Sequence, residues 1–520
     1  MTTGEDIVLT IDVGTSGVKT ALVSLERGII GWKFFKTHLL LHPDGGAEQD
    51  PAEWWEGVVK NTRYLAKEYP SEAKSINKIS CTTQWSGTVP IDHSGKPLMN
   101  AIIWMDSRGE RYIREVTGGK INIQGYGVFK LIKWITKTGG IPAHSGKDSI
   151  AHILFLKNKR PEIYNNTYKF LEPKDFINMK LTGNIYATHD SITLHWLTDN
   201  RDINNIRYCE RLLKIVGISR DKLPELKSSL DIIGTLRKEA AEELGLKEGI
   251  EVIGGSPDVQ SACIGSGSIQ DYDGHIYIGT SAWISCHVPF KKTDIFHNMA
   301  SLPSPIPGKY FVANEQETAG ACLDFIAKLF LEENQVSNQN TYTRLENMAS
   351  RAEPGSGKVI FVPWLYGERT PVEDEKLRSC FFNISLSTTK EQLIRAVYEG
   401  VAFNIKWLLG YVEKFIKKKF LYLNIVGGGA SSDFWCRLFA DILDRPVRQI
   451  EEPRMVNLRG AAFLGFIAKG KINFEDIPKY VRIKNIFEPE KKSKNIYGEI
   501  FSEFLNIYRK NRNIFHRLNR

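Results

Sequence analysis

The stretch Ile7–Val23, IVLTIDVGTSGVKTALV, predicts two strands joined by a tight turn. Apolar residues lead up to Asp12, Gly14 opens the turn, and Val18–Val23 runs back. Such a turn places backbone N–H groups and small hydroxyls at a hairpin tip, an arrangement that suits phosphate oxygens. Asp12 ends the first strand, where a carboxylate can hold a magnesium ion, usually through water. An ordinary hairpin whose Asp and Gly serve only the turn is the alternative.

The same pattern returns half a chain later in Gly274–Val288, GHIYIGTSAWISCHV. Gly279–Ser281 takes the place of Gly14–Ser16, whereas Tyr277 takes the place of Asp12. Two such hairpins facing each other can grip a polyphosphate from two sides, with the metal on the first side only. Chance similarity of two short hairpins is the alternative.

Composition limits the class of protein. The chain has 520 residues, enough for two or more domains with full cores, and its 42% hydrophobic and 25% charged residues are typical of a globular protein. No apolar run reaches membrane-spanning length and no secretory signal is visible, so we expect no membrane partner. Seven dispersed cysteines, none in a CxxC pair, suit a reducing cytoplasm, which is the expected location. The net charge of +9 comes with no nucleic-acid-binding motif, so we expect no nucleic-acid partner.

Two predicted strands end in loops with the chemistry of a sugar pocket. Ile76–Thr83 runs into the loop carrying Gln84 and Trp85, and Ala101–Trp104 runs into the loop carrying Asp106. Ligand-binding loops lie at such carboxyl ends in α/β sheets. An aromatic ring covers the C–H face of a sugar, and polar groups bind its hydroxyls. The alternative is that Trp104 belongs to the core and that Asp106 forms a surface pair with Arg108.

Asp258 is the candidate for acid–base chemistry. Ser256-Pro257-Asp258 predicts a helix start, with Ser256 as the cap and Asp258 in the first turn. A carboxylate there can accept the proton of a sugar hydroxyl that attacks the terminal phosphate of ATP. It can equally serve only to stabilise the helix by interacting with its dipole, and both interpretations stay open.

A glycine turn provides the candidate nucleotide contact. The strand Leu421–Val426 leads into Gly427–Asp433, GGGASSD, and a helix is predicted from Ser431 to Leu443. Residues without side chains let an adenosine group approach the backbone. The stretch lacks the Gly-Lys-Thr/Ser of a Walker A loop, and a plain tight turn is the alternative. Further helices are predicted over Asp148–Arg160, Pro173–Leu181, Glu317–Leu331, Thr389–Phe415, Leu458–Ile467 and Asn495–Leu518, and residues 120–146 are predicted to be an insertion or flexible flap.

In their order along the chain, these pieces resemble the FGGY family of carbohydrate kinases, and the xylulokinase-like branch is closest in pattern. The matching motifs are DVGTSGVK, AEQDPAEWW, WMDSRG, PKDFINMKLTG, GGSPD, YIGTSAW, LYGERTP, EQLIRAVYEGVAF, GGGASSDFWCRLFADILDRPV and RGAAFLG. The resemblance implies an α/β fold of two actin-like (ribonuclease H-like) ATPase domains with a cleft between them. The domains would be a sugar-binding domain at 1–263, a nucleotide-binding domain at 264–490, and an amphipathic helix at 491–520 packed on the latter.

The resemblance also implies residue roles and cofactors, ATP and Mg²⁺. Asp258 would be the general base, and Asp12 and Asp258 would lie near the magnesium. The nucleotide would be bound by Thr15, Lys19, Gly279, Thr280, Gly320, Gly428, Gly429, Ala430 and Asp433. The sugar would be bound by Gln84, Trp85, Trp104, Asp106 and Asp258. Members of the family often form dimers, so a homodimer is expected.

The substrate is less well specified. Xylulokinases carry Met-His and glycerol kinases Arg-Glu where this chain has Gln84-Trp85, and such a change can redirect specificity. The leading hypothesis is an ATP-dependent kinase of a small sugar or polyol, with a pentulose such as D-xylulose first. Ribulose, gluconate, glycerol, erythritol or a longer ketose are alternative substrates. Alternatives of another class are a non-catalytic nucleotide- or sugar-binding protein and a chaperone- or filament-type actin-like ATPase.

Overall fold

The computed structural model of the protein describes residues 5–331 and 340–519, which build two central sheets with helices around them. The strands of the first sheet are β1 (Ile7–Gly14), β2 (Gly17–Ser24), β3 (Gly28–Lys36), β4 (Ile76–Thr83), β5 (Ile232–Thr235), β6 (Glu251–Ile253) and β7 (Ser256–Pro257). Their order is β5-β6-β4-β1-β2-β3, and β7 pairs with the end of β4.

The second sheet repeats the topology of the first. Its strands are β8 (Gly274–Ile278), β9 (Ala282–Ser285), β10 (Leu423–Val426), β11 (Val447–Ile450) and β12 (Ile483–Phe487), in the order β9-β8-β10-β11-β12. In both sheets a hairpin is followed by two parallel neighbours and then by an antiparallel edge strand. We call the parts built on the two sheets the first and second lobes.

Helices and small sheets complete the fold. The α-helices among the described residues are α1 (Pro51–Glu68), α2 (Pro70–Lys74), α3 (Glu110–Thr117), α4 (Val128–Thr138), α5 (Ser149–Lys159), α6 (Pro161–Asn166), α7 (Pro173–Thr182), α8 (Glu210–Val216), α9 (Lys238–Leu244), α10 (Asp258–Gly265), α11 (Gly320–Phe330), α12 (Thr341–Ala349), α13 (Lys390–Ile416), α14 (Asp433–Leu443), α15 (Val456–Ala468) and α16 (Lys494–Leu518). The remaining strands are Leu40–Leu41, Ala47–Gln49, Val89–Ile91, Ala101–Ile102, Asn122–Ile123, Tyr126–Gly127, Lys169–Leu171, Tyr186–Thr188, Thr198–Asp199, Arg207–Tyr208, Glu225–Lys227, His287–Val288, Thr293–Asp294, Met299–Pro303, Tyr310–Ala313, Ile360–Val362 and Cys380–Phe382. None of the helices in residues 5–331 and 340–519 is long and apolar enough to cross a membrane.

Several local signals produce the expected structure. Every residue from Ile7 to Val13 is buried, as in a central strand covered on both faces. Asp50 caps α1 by accepting a 2.8 Å hydrogen bond from the Ala52 amide at Oδ1. Trp54 on α1 is fully buried in the core of the first lobe. The first hairpin and the helix that covers it therefore follow directly from the local sequence.

Other predicted elements differ from those observed. Residues 120–146 are not a loose flap, because they form a short hairpin and α4, and Gly139 accepts a 2.7 Å hydrogen bond from Thr293. The helix predicted to begin at Glu317 begins at Gly320, as α11. Ser256 does not cap a helix, because it pairs with Thr82 in the sheet and donates its hydroxyl to Asp190.

In the C-terminal part of the chain, one helix start differs from the prediction and two helices make contacts that the sequence did not specify. The helix after the glycine turn begins at Asp433, with Ser432 as its cap, since the Ser432 hydroxyl accepts from the Trp435 amide at 3.0 Å. α16 packs against α13, as Tyr497 and Phe504 contact Phe403. α15 lies in the predicted 264–490 domain, yet its Leu458 and Ala462 pack with Val8 of the first sheet.

The crossing of α10 and α15 joins the two lobes. A Cβ atom on Gly460 would lie 1.9 Å from the Ser261 carbonyl oxygen, and one on Gly265 would lie 2.0 Å from the Val456 carbonyl oxygen. Ala262 of α10 packs with Val426 and Ile450 of the second sheet. The helices can approach this closely only because glycine occupies both contact points.

The tight contact at Gly460 and the open space around Gly410 predict opposite effects for alanine substitutions at these two glycines. Gly460→Ala should destabilise the protein by about 1–3 kcal/mol, because the new methyl group overlaps a backbone carbonyl. Gly410→Ala, in α13, should stabilise it by about 0.5–1 kcal/mol, because a Cβ there meets no atom within 4 Å. Urea unfolding followed by circular dichroism measures both, and equal midpoints would contradict the tight crossing.

Candidate active site

Asp12 and Asp258 lie on either side of the carboxyl end of β4, a central strand of the first sheet. Asp12 of β1 and Ser256 of β7 both pair with Thr82 of β4, one on each side. Asp258 follows two residues after Ser256, as the first residue of α10. Parallel pairing on both sides of β4 therefore brings together two carboxylates that are 246 positions apart in sequence.

Lys19 is the cation of this cluster. Its Nζ lies 3.1 Å from Asp12 Oδ2, and the two residues are register partners in β1 and β2. The negative charge of Asp12 raises the pKa of Lys19, whereas burial opposes the shift. Burial and the nearby charge of Asp12 raise the pKa of Asp258 to about 8. Burial, reinforced by the nearby charge of Asp12, therefore keeps the proton affinity of Asp258 high.

The second hairpin faces this cluster through Tyr277. Burial raises the pKa of the Tyr277 phenol to about 12, the charge of Lys19 opposes the shift, and those of Asp258 and Asp12 add to it. The Tyr277 ring also stacks on Trp283 of the same hairpin, with ring centroids 4.1 Å apart. Tyr277, which replaces the acid of the first hairpin, therefore lies near enough to Lys19, Asp258 and Asp12 to feel their charges.

The donor set fits a divalent cation that also binds phosphate and water. Among the described residues, the Asp12 side chain accepts one hydrogen bond, from Lys19, and that of Asp258 accepts one, from the Val259 amide at 2.8 Å. Each carboxylate thus keeps an oxygen that can take a metal ligand position. No three His, Cys, Asp or Glu side chains in residues 5–331 and 340–519 form a complete metal cage. Magnesium is usually bound by one or two carboxylates, with phosphates and waters completing its shell.

The residues predicted for phosphate and for sugar form one hydrogen-bond network. Trp104 Nε1 donates to Thr15 Oγ1 at 2.9 Å, and Thr15 donates to Gln84 Oε1 at 3.1 Å. Gln84 Nε2 donates to Gln49 Oε1 at 2.7 Å, and Gln49 donates back to the Thr15 carbonyl at 2.8 Å. Sequence reasoning did not assign Gln49, although it lies in the AEQD motif directly before the cap of α1. Gln84 is buried and holds Thr15 in place.

The side chains of Trp85 and Asp106 make hydrogen bonds to other residues of the first lobe. The half-buried Trp85 ring donates its Nε1–H to the Ser191 carbonyl at 2.9 Å. Asp106 is 1% exposed, and its carboxylate accepts from the Ala47 amide at 2.9 Å and from the Arg108 guanidinium. The pair of Asp106 and Arg108 is therefore buried, not a surface pair, and Asp106 holds its loop from inside instead of presenting a free carboxylate.

The predicted nucleotide residues of the second lobe meet at one end of its sheet. The Gly320 amide donates to the Gly279 carbonyl at 2.9 Å, and the Ala319 amide donates to the Thr280 carbonyl at 2.8 Å. A Cβ on Gly320 would lie 2.6 Å from the Gly279 oxygen, so the start of α11 touches the hairpin turn. This contact explains the glycine at position 320.

The glycine turn after β10 lies beside the same hairpin. Gly427 has a φ of +90°, and a Cβ on Gly429 would lie 2.4 Å from Cγ2 of Ile278. Gly428 faces open space, which leaves its backbone accessible. Ala430 is buried and its carbonyl accepts from Gln449, and the exposed Asp433 accepts from the same amide nitrogen at 2.8 Å. Residues 279, 280, 320 and 427–433 thus form one continuous surface.

Four charged residues at the meeting of the lobes were not assigned from sequence. Arg369 forms ion pairs with Glu315 and with Glu317, and its guanidinium carbon lies 5.5 Å from the centroid of the Trp104 ring. Lys147 of the first lobe forms a 2.6 Å ion pair with Glu317 of the second. The LYGERTP motif contains Arg369, but nothing local marks Lys147.

Protein-family models and known proteins match most of the chain. The model for the FGGY family of carbohydrate kinases, N-terminal domain, matches residues 7–265, and the model for the C-terminal domain of that family matches residues 274–469. A xylulose kinase from Staphylococcus epidermidis is 26% identical over 525 residues, covering 98% of each chain. A gluconokinase from Bacillus subtilis is 27% identical over 509 residues, covering 96% of this chain and 95% of its own. The crystal structure of ligand-bound xylulose kinase from Lactobacillus acidophilus matches the fold with a TM-score of 0.87 at 23% identity, covering 99% of this chain and 100% of that chain.

Proposed function

The chain belongs to the FGGY family of carbohydrate kinases, and we propose that it transfers the terminal phosphoryl group of ATP to a hydroxyl of a small sugar or polyol, with a pentulose such as D-xylulose as the first candidate. The predicted fold class, two actin-like α/β halves, is confirmed by the family match and by the duplicated sheet topology. The observation that carries the proposal is the cluster of Asp12, Lys19 and Asp258 opposite the second hairpin.

Asp258 is the proposed general base. It accepts the proton of the sugar hydroxyl while that oxygen forms a bond to the terminal phosphorus and the bond from phosphorus to the ADP oxygen breaks. Because the transition state of phosphoryl transfer is loose, the base chiefly orients the hydroxyl and takes its proton late. Lys19 and Thr15 would meet phosphate oxygens from the first lobe, and the Gly279–Thr280 turn would meet them from the second. Asp12 and Asp258 would hold Mg²⁺, which neutralises phosphate charge when bound.

Gluconate is the second candidate substrate, because the gluconokinase is as similar to this chain as the xylulose kinase is. The pocket supports a polyhydroxylated ligand, since Trp104 offers an aromatic face next to the polar Thr15 and Gln84. Trp85 is bulkier than the residue that xylulokinases carry, so the volume at this point differs.

The test is ADP release from Mg-ATP over a panel of ketoses, aldoses, polyols and sugar acids. We expect D-xylulose or gluconate to raise turnover at least 100-fold above ATP alone. Stimulation by a different sugar would correct the substrate and keep the kinase assignment. ATP binding without stimulation by any panel member would favour a non-catalytic nucleotide-binding protein.

The raised pKa of Asp258 predicts how the rate depends on pH. A base must be deprotonated to act, so kcat/KM for Mg-ATP at saturating sugar should rise with pH and level off above about 8. A bound divalent cation stabilises the carboxylate, so kcat should level off at a lower pH than kcat/KM. Initial rates from pH 5.5 to 9.5 measure both profiles. A kcat/KM that falls over this range as pH rises would contradict the role of Asp258.

A further inference from the structure

Lys147 and Glu317 connect the two lobes beside the proposed sugar pocket. Lys147 directly precedes Asp148 and α5 in the first lobe, and Glu317 lies three residues before α11 in the second. Lys147 Nζ lies 2.6 Å from Glu317 Oε1, and the two side chains are only 21% and 11% exposed. A pair shielded from water to this extent is screened less than one on an open surface.

Each partner is attached to one of the two substrate sites. The Lys147 carbonyl accepts a 2.8 Å hydrogen bond from Ser86, which belongs to the loop that carries Gln84 and Trp85. The Glu317 segment leads to Gly320, whose amide binds the Gly279 carbonyl of the phosphate hairpin. The ion pair therefore links the sugar loop to the nucleotide turn by a short path.

Arg369 also pairs with Glu317, beside the proposed sugar pocket. Arg369 Nε lies 2.6 Å from Glu317 Oε2, and the guanidinium lies over the Trp104 ring. The loop behind it is held firmly, because Glu368 accepts from the Glu317 amide at 3.0 Å and from Asn404 at 2.5 Å. Burial raises the pKa of Glu317, but Arg369 and Lys147 outweigh it and hold that pKa below its usual value. Glu317 is thus an anion shared by one cation from each lobe.

We propose that Lys147 and Glu317 act as a latch between the lobes, which holds the sugar loop against the nucleotide turn and keeps Arg369 over Trp104. The inference rests on the proposed kinase function and adds to it a positioning role for Lys147. An enclosed pocket retains the sugar and excludes water during transfer, so loss of the latch weakens sugar binding before it slows transfer.

The test is a double-mutant cycle with Lys147→Met, Glu317→Gln and the two combined. Each single change should raise KM for the sugar about 10-fold while kcat stays within about threefold. The combined variant should be no worse than the poorer single variant, because both changes break the same contact. Additive effects, or a sugar KM within twofold of wild type, would overturn the proposal.

Lys137→Met is the matched control. Lys137 pairs with Asp199 at 2.8 Å with exposures of 20% and 10%, but both residues belong to the first lobe. This variant should leave the sugar KM within twofold of wild type, whereas an equal rise would overturn a role specific to the lobe contact.

Small-angle X-ray scattering without substrates separates the latch from the enzymatic assignment. Lys147→Met should increase the radius of gyration relative to wild type and to Lys137→Met, because without the ion pair the lobes can open farther on this side while the α10–α15 crossing still joins them. An unchanged radius would overturn the latch, even if the substrate panel identified no sugar. A panel without any active sugar, together with an increased radius, would instead overturn the kinase proposal and leave the latch supported.

Discussion

Asp258→Asn is expected to lower kcat for sugar phosphorylation by about 10³-fold. Asparagine keeps the size of the side chain and its hydrogen bond from the Val259 amide, but it cannot accept the proton of the hydroxyl. ADP release with the best sugar of the panel measures the loss. Residual activity within tenfold of wild type would remove Asp258 from the role of base.

The same variant should not be less stable than wild type. Because the pKa of Asp258 is raised from 3.8 to about 8, its ionisation lowers the stability of the folded state as pH rises between these values. Removing the ionisation should therefore change the melting temperature little at pH 4 and increase it progressively up to pH 9. Binding of ADP, measured by calorimetry, should stay within threefold, which separates lost chemistry from lost structure.

Asp12→Asn should reduce activity about 10²-fold at a magnesium concentration that saturates the wild type. The change removes a proposed cation ligand and also the partner of Lys19, whose pKa Asp12 raises. Because the cation site is weakened and not abolished, activity should recover partly when magnesium is raised tenfold. Asp258→Asn should show no such recovery, since extra cation cannot replace a base.

Asp50→Asn is the control for removing an aspartate near this site. Asp50 caps α1 through Oδ1, and asparagine caps helices about as well. Activity and its magnesium dependence should therefore stay within twofold of wild type. If Asp12→Asn behaves like this control, Asp12 does not hold the cation.

The features of the site that could be predicted from sequence depend on contacts between residues that are a few positions apart. The turn at Gly14 joins strands whose residues pair at short separation, such as Asp12 with Lys19. The Asp50 cap and the glycine turn at Gly427 are likewise set by a few neighbouring residues. These features carry their own signal, because turn and cap geometry admits only certain residue types.

Where a local pattern fitted two arrangements, packing decided between them. The sequence left open whether Asp106 is a pocket group or a surface partner of Arg108, and in the structure its pair with Arg108 is buried inside the loop. Ser256 had the residue type of a helix cap, but Asp190, 66 positions away in sequence, took its hydroxyl. A distant partner outweighs a local preference because a buried polar group must find a hydrogen bond wherever the fold provides one.

The family, the duplicated hairpins and the choice of Asp12 and Asp258 as candidates follow from short motifs in the sequence. Which residues close the site depends on how the lobes pack. Lys147 and Glu317 are 170 positions apart, and Arg369 meets Trp104 only because the two lobes contact each other there. No local pattern predicts such pairs, because the same type of charged residue occurs both where a side chain faces water and where it pairs with the other lobe.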